Sequence, residues 1–268
     1  MKVNSYSLQG KRESNEDQHI NIINLNSLNS KLNSINFIGV YDGHGGKLVS
    51  KFIKSELPLY FTKKTKNNIF KENNIYIKKY INKVFTNVQN KLIKQHPIAA
   101  KRCGTTALNG ILYKNNNNYK LWIANIGDSR AVLLNHKNIT KQLSNDHKPN
   151  DIREKKRIEK LGGHIEYDGY DWRIQNLSLS RAFGDLDTSP YVTHNPETTQ
   201  YTINKKDKFI IFACDGLWDV VSNTDATTFT NNLIEKKYTG NIAKKLAEYS
   251  YKKGSTDNIT VSILFIST

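Results

Sequence analysis

The sequence predicts an α+β protein with antiparallel sheets. Three observations carry this reading. Alternating or continuous apolar runs near both ends of the chain read as strands, segments with apolar residues at helical spacing group between them, and several strands abut an acidic turn. The first strand covers residues 3 to 9, and Gly10-Lys11-Arg12-Glu13-Ser14 turns out of it. A second, around Gln18 to Leu25, leads into the polar stretch 26 to 34, read as an exposed hairpin loop. Residues 35 to 41 form a central strand. After Gly46, the spacing of Leu48, Phe52 and Leu57, with Ile53 widening the face, predicts a helix that Pro58 should end. From about Asn68 to Gln95, the residues Ile77, Ile81, Val84, Phe85, Val88, Leu92 and Ile93 recur at helical spacing, and the lysines between them form a solvated face.

Strands return at Thr105 to Tyr113, Tyr119 to Ile126 and Ala131 to Asn135, with the Asn115–Asn118 tract as a hairpin tip and Gly127-Asp128-Ser129-Arg130 as a turn. Ile152 to Leu161 reads as a helix closed by Gly162-Gly163. Residues 164 to 176, with Tyr167, Tyr170 and Trp172, read as an irregular surface loop or flap. Asp225 to Leu233 and Ile242 to Tyr249 pattern as helices, and Ile259 to Ile266 as the final strand.

The chain of 268 residues has no Pro/Gly/Ser-rich linker, which favours one domain over residues 1 to 268. A hydrophobic content of 37% and a charged content of 24% suit a globular protein. No apolar run reaches the roughly 18 residues of a membrane span. Met1-Lys2-Val3-Asn4 shows neither a signal segment nor the glycine that myristoylation requires, so no membrane anchor is expected. Cys103 and Cys214 make no disulfide framework, and Cys214, inside an apolar run, reads as a reduced core residue. A cytoplasmic or nuclear setting follows as the expectation. The net charge of +16 comes from dispersed lysine pairs rather than one stripe, in a chain also rich in Asn, Ile and Tyr. That pattern reads as compositional drift, not as a nucleic-acid face. No heptad pattern points to a dimer, so a monomer is the default.

The chemistry concentrates at the strand ends. Ile38-Gly39-Val40-Tyr41 delivers Asp42-Gly43-His44-Gly45-Gly46, and Phe209 to Cys214 delivers Asp215-Gly216. Asp257 stands just before the apolar run from Ile259, and Asn15-Glu16-Asp17 follows the first strand. A carboxylate at a buried strand end is costly unless it is paired or binds a cation. Four such turns predict a carboxylate-lined metal site. Oxygen donors select Mg²⁺ or Mn²⁺ over zinc.

Together these segments resemble the metal-dependent protein phosphatases, the type 2C serine/threonine family. The matches are Gly10-x-Arg12-x-x-Asn15-Glu16-Asp17, Val40-x-Asp42-Gly43-His44-Gly45-Gly46, Gly104-Thr105-Thr106-Ala107 and Asn125-Ile126-Gly127-Asp128-Ser129-Arg130-Ala131. They continue with Asp146-His147-Lys148-Pro149, Leu179-Ser180-Arg181-Ala182-Phe183-Gly184-Asp185, Cys214-Asp215-Gly216-Leu217-Trp218-Asp219-Val220 and Asp257-Asn258-Ile259-Thr260, in the family's order. The resemblance implies two antiparallel sheets packed as a sandwich, flanked by helices on both sides, with the metal site at one end.

It also implies hydrolysis of phosphoserine and phosphothreonine in proteins by a hydroxide that two divalent ions activate. By resemblance, Asp42 bridges both ions, Gly43 binds one through its carbonyl, and Glu16 serves that same ion. Asp215 and Asp257 complete the other ion, and Asp17 orients metal-bound water. Asp128, with Asp219, matches a looser third position. Arg12 matches the phosphate clamp and His44 the general acid. Phosphoproteins are the implied partners, and the basic surface would help draw in acidic substrates. No metal position departs from the family pattern, which weighs against a turnover-free relative of the same fold. The rival of a nucleic-acid or small-phosphoester hydrolase rests on charge alone. Arg181 and Asp185 read as a structural ion pair or turn, Asp146-His147 as turn and cap chemistry for the helix at 152, and Cys103 as no nucleophile. His96, His136, His164 and His194 read as surface. Leu177-Ser178 stands where the family has Leu-Ala, and the flap leaves substrate choice open.

Overall fold

The computed structural model describes residues 2–23, 35–62, 73–115 and 118–266. Its elements in chain order are β1 (Lys2–Leu8), β2 (Gln18–Ile22), β3 (Ile35–Tyr41), β4 (Gly43–His44), α1 (Leu48–Thr62), α2 (Asn74–Gln95), α3 (Pro97–Arg102), β5 (Gly104–Thr105), β6 (Ala107–Asn115), β7 (Asn118–Ile126), β8 (Arg130–Leu134) and β9 (Thr140–Gln142). There follow α4 (Ile152–Lys160), β10 (Glu166–Tyr167), β11 (Trp172–Arg173), β12 (Phe183–Gly184), β13 (Glu197–Ile203), β14 (Phe209–Ala213), α5 (Asp215–Trp218), α6 (Asn223–Glu235), α7 (Ile242–Lys252) and β15 (Ile259–Phe265).

Two five-stranded antiparallel sheets, ordered β1-β15-β14-β8-β9 and β13-β7-β6-β3-β2, face each other. Period-two alternation explains how one strand serves two layers. Ile38 and Val40 of β3 point between the sheets with Leu121, Ile123, Ile210 and Phe212. Phe37 and Tyr41 of the same strand point outward against Val49, Ile53, Phe61 and Phe85 of α1 and α2. On the other side, Phe209, Ile211 and Ala213 pack against Ala226, Ala243, Leu246 and Ala247 of α6 and α7. The inner strands are covered on both faces, which is why they read as continuous apolar runs instead of alternating ones.

Three expectations are corrected. Pro58 does not end α1, which continues to Thr62; Leu57 and Phe61, both fully buried, fix the turn that the proline would otherwise break. Leu48 is exposed, and Val49 takes its place on the buried face. The flap holds a short hairpin, β10 with β11, and Ile174 beyond it is buried. The expected loop at 26–34 and the start of the helix at 68–72 lie outside the described residues. Asn115 pairs with Asn118, so the tract does close a hairpin. The short elements α3, β4, β5, β12 and α5 and the edge strands β9 and β13 carry no periodic signal strong enough to expect.

A buried ionic staple ties α4 to the segment after the flap. Asp151, not Asp146, caps this helix, its side chain accepting from the N–H groups of Arg153 and Glu154. His147 is buried, with Nε2 3.5 Å from Glu197 Oε2. Glu154 accepts from Arg157 at 2.9 Å and from Ser180 Oγ at 2.8 Å, and also pairs with Arg181. Arg181 and Asp185 are therefore not an ion pair. Burial alone would raise the Glu154 carboxyl, but the Arg181 and Arg157 contacts outweigh it and hold it at about 2. The drop from its ordinary 4.5 corresponds to about 3 kcal/mol of stability above pH 4.5, lost as pH falls toward 2. Glu154→Gln should thus cost about 3 kcal/mol at pH 7 in denaturant unfolding, with the gap to the parent closing between about pH 4.5 and 2. Equal stability at pH 7 would show that the staple contributes nothing.

Candidate metal centre and active site

Strand register, not sequence proximity, assembles the site. Ala213 at the end of β14 pairs with Val261 near the start of β15 and with Arg130 at the start of β8, while Leu8 at the end of β1 pairs with Ile259. The other sheet aligns Tyr41 at the end of β3 with Gln18 at the start of β2. Hence Asp215, Asp257, Asp128, Glu16, Asp17 and Asp42 all emerge at one end of the sandwich. There they surround a cavity of about 450 Å³ whose wall includes Arg12, Glu16, Asp42, Gly43, His44, Asp128, Asp215 and Asp257. Asp17 lies beneath this wall, buried, with carboxylate oxygens near those of Asp42 and the thiol of Cys214. Asp219 is exposed and off the wall.

Backbone and amide contacts hold the carboxylates in place. Thr106 Oγ1 accepts from the Asp42 N–H at 3.0 Å, and Thr105 Oγ1 donates to the Asp42 carbonyl at 2.8 Å. Glu16 Oε2 accepts from the Gly46 N–H at 3.0 Å, so the glycine loop reaches back to the first acidic turn. Asn258 joins the two ends of the chain: its Oδ1 accepts from the Glu16 N–H at 2.9 Å and its Nδ2 donates to the carbonyls of Gln9 and Ser14. Arg12 Nη2 lies 2.7 Å from Asp257 Oδ2, on the cavity rim.

The electrostatics are those of a site that needs cations. Burial, then repulsion from Asp215, Asp17 and Asp128, pushes the Asp42 carboxyl well up. Burial and the charges of Asp128 and Asp219 do the same to Asp215, and burial takes Asp17 up to about 6. Both carboxylate oxygens of Asp17 and one of Asp215 are buried without a hydrogen-bond partner among the described residues. Such oxygens are costly unless a positive charge faces them. The wall offers oxygen donors, and its one imidazole has Nε2 engaged by Asp185 at 2.7 Å, so the set suits a hard divalent ion such as Mg²⁺ or Mn²⁺. One carboxylate is already partly neutralised: Lys148 Nζ binds Asp128 Oδ2, the carboxylate expected at the looser third position.

Several wall residues escaped the sequence reading. Arg173, Asn176 and Leu177 to Leu179 bring the flap to the cavity, so this segment is part of the site. Asp185, expected as a turn residue, meets the His44 ring. His136 and His164 are exposed as expected, whereas His96 stacks edge-on against Phe52 and His194 is half-buried.

A sandwich flanked by helices, with a carboxylate-lined cavity at one end, defines a metal-dependent hydrolase. Comparison with known proteins makes the assignment specific. The model of the family described as "Protein phosphatase 2C" matches residues 1–259. The chain is 32% identical to "Protein phosphatase 1L" of Bos taurus over 265 residues, covering 97% of this chain and 71% of the relative. It is 42% identical over 168 residues to a PP2C-like domain-containing protein of Acanthamoeba polyphaga mimivirus, covering 54% of this chain and 93% of that one. Among solved structures, a serine-threonine phosphatase 2C from Toxoplasma gondii superposes with a TM-score of 0.80 at 23% identity, covering 99% of this chain and 94% of that one. The chain belongs to the protein phosphatase 2C family, and its class is a metal-dependent protein serine/threonine phosphatase.

The raised carboxyls carry a sign. They bind protons in the folded protein that the unfolded chain has released near pH 4, so metal-free stability should fall as pH rises through about 6 and beyond. Mn²⁺ at 100 times its Kd should add about 2.7 kcal/mol, and at a fixed Mn²⁺ concentration the increment should grow with pH. Asp42→Asn should be no less stable than the parent without metal yet lose most of the increment. Thermal unfolding with Mn²⁺ or chelator checks this, and an undiminished increment would remove Asp42 from the metal site.

Proposed function

We propose that the cavity hydrolyses phosphoserine and phosphothreonine in proteins with two Mg²⁺ or Mn²⁺ ions. The observation that carries this is the crowding of Asp42, Asp215, Asp17 and Asp257 at one strand end with buried oxygens left unpartnered. Asp42, with Glu16 and the Gly43 carbonyl on one side and Asp215 and Asp257 on the other, would hold the ions. Asp17, beneath the wall, orients water. When bound, the ions supply a nucleophile at neutral pH and positive charge against the phosphoryl oxygens.

The chain's own groups do the rest. Arg12, on the rim, lies beside Asp257, and its guanidinium leaves that carboxylate to grip two oxygens of an arriving phosphate. His44, on the wall next to Asp42 and Gly43, passes a proton to the departing seryl or threonyl oxygen. Asp128, held by Lys148, serves a weaker third cation when the lysine yields. The flap residues Arg173 and Asn176 face the substrate and shape its choice.

Phosphate release from a phosphothreonine peptide, with Mn²⁺, with Mg²⁺ and with chelator, tests the reading. Turnover should require metal and fall by at least about 10³-fold in Asp42→Asn. Metal-independent turnover, or none from well-folded protein, would refute it. Arg12→Ala should raise KM by about 10- to 100-fold, the worth of a lost charge-assisted contact, with a smaller effect on kcat. An unchanged KM would make Arg12 a partner of Asp257 alone.

A further inference from the structure

The small sheet β12-β5-β4 brings together two side chains that lie 141 residues apart. In it, Gly104 of β5 pairs with His44 of β4 on one side and with Gly184 of β12 on the other. Across Gly104, His44 Nε2 and Asp185 Oδ2 are 2.7 Å apart. A methyl group at position 104 would lie 2.1 Å from Asp185 Oδ2 and 2.4 Å from His44 Nε2, so the contact exists only over a glycine.

Asp185 is itself held firmly. Its side chain is 4% exposed, its backbone is left-handed at φ 48 and ψ 39, and its N–H donates to the Cys103 carbonyl at 3.1 Å. The preceding Gly184 is clamped from α2 by the buried Gln89, which accepts from its N–H at 3.0 Å and donates to its carbonyl at 3.3 Å. A buried carboxylate in an unfavourable backbone conformation, fixed from two elements and aimed at one imidazole edge, is more elaborate than a turn requires.

We propose that Asp185 is a positioning residue for His44, holding its Nε2 edge so that Nδ1 is the ring nitrogen that serves the leaving oxygen. This rests on the reading of His44 as proton donor. In the step, a water-derived hydroxide forms the new P–O bond. The electron pair of the breaking bond passes to the seryl or threonyl oxygen, and that oxygen takes the Nδ1 proton. The neutral ring keeps its Nε2–H on Asp185. Without the carboxylate, the ring is free to rotate, and the fraction correctly oriented falls.

A purely structural pair and a positioning pair differ in which substrates suffer. An alkoxide leaving group needs the proton, whereas p-nitrophenolate departs without one. With saturating Mn²⁺, Asp185→Asn should lower kcat on a phosphothreonine peptide by about 10- to 100-fold, leave KM nearly unchanged, and cost far less on p-nitrophenyl phosphate. His44→Gln should show the same selectivity, and the double variant should be no worse than His44→Gln alone. Gly104→Ala, which keeps both side chains but wedges them apart, should reproduce the selective loss; thermal unfolding verifies that each variant is folded. If His44→Gln is selective but Asp185→Asn lowers both substrates equally or neither, Asp185 is structural and the proposal falls. If His44→Gln itself lowers both substrates equally, the acid reading fails and takes the proposal with it.

Discussion

Repulsion among carboxylates is the constraint on which the rest of this structure depends. Asp17 is buried with Asp42 and Asp215 half-buried beside it, and desolvation first, then like charges nearby, raises all three carboxyls. A fold that confines like charges in this way must supply rigidity from elsewhere. It does so with a doubly covered sandwich: the strands that carry the acids are packed on both faces, so their ends cannot relax apart. Threonine and asparagine side chains at the rim then fix the backbone of each acidic turn. The cations that relieve the repulsion are therefore part of the stability of the molecule as well as of its chemistry.

The charge arrangement around that cluster is graded. Lys148 already binds Asp128, and Arg12 binds Asp257 at the rim, while buried oxygens of Asp17 and Asp215 have no hydrogen-bond partner among the described residues. Side-chain cations thus sit on Asp257 at the rim and on Asp128. The flap adds Arg173 and Asn176 from above, on a hairpin whose tip residue Tyr170 is 90% exposed. The cavity wall is in this way shared between the flap and the strand ends.

Much of this was legible in the sequence. Apolar runs that deliver an Asp-Gly turn exposed β3 and β14 and their carboxylates, and helical spacing exposed α2 down to its buried residues. What escaped has common physical causes. Pro58 obeys local propensity in the sequence but is overruled by Leu57 and Phe61 in the core. The pairs Lys148–Asp128, Arg181–Glu154 and His44–Asp185 join residues that no periodicity connects, because each depends on how separate elements meet in space. Two-residue strands such as β4, β5 and β12 are too short to have a pattern, yet they bring Asp185 to His44. Asp185 stands in a motif, yet in the sequence it reads only as an ion-pair or turn residue.

The pairing of β1 with β15 has a consequence for how the molecule comes into being. Residues near the two ends of the described chain lie side by side, with Lys2 opposite Phe265 and Leu8 opposite Ile259, and Asn258 reaches the carbonyls of Gln9 and Ser14. The acidic turn at 15–17 and the one at 257 acquire their positions from each other. During synthesis, a chain emerging from the ribosome carries Arg12, Glu16 and Asp42 long before Asp257, and closing so large a loop is slow. A nascent chain can therefore form the sheet that holds β3 while still lacking Asp215 and Asp257. The acidic cluster is thus completed only after the segment that carries Asp257 has been made and has paired with β1.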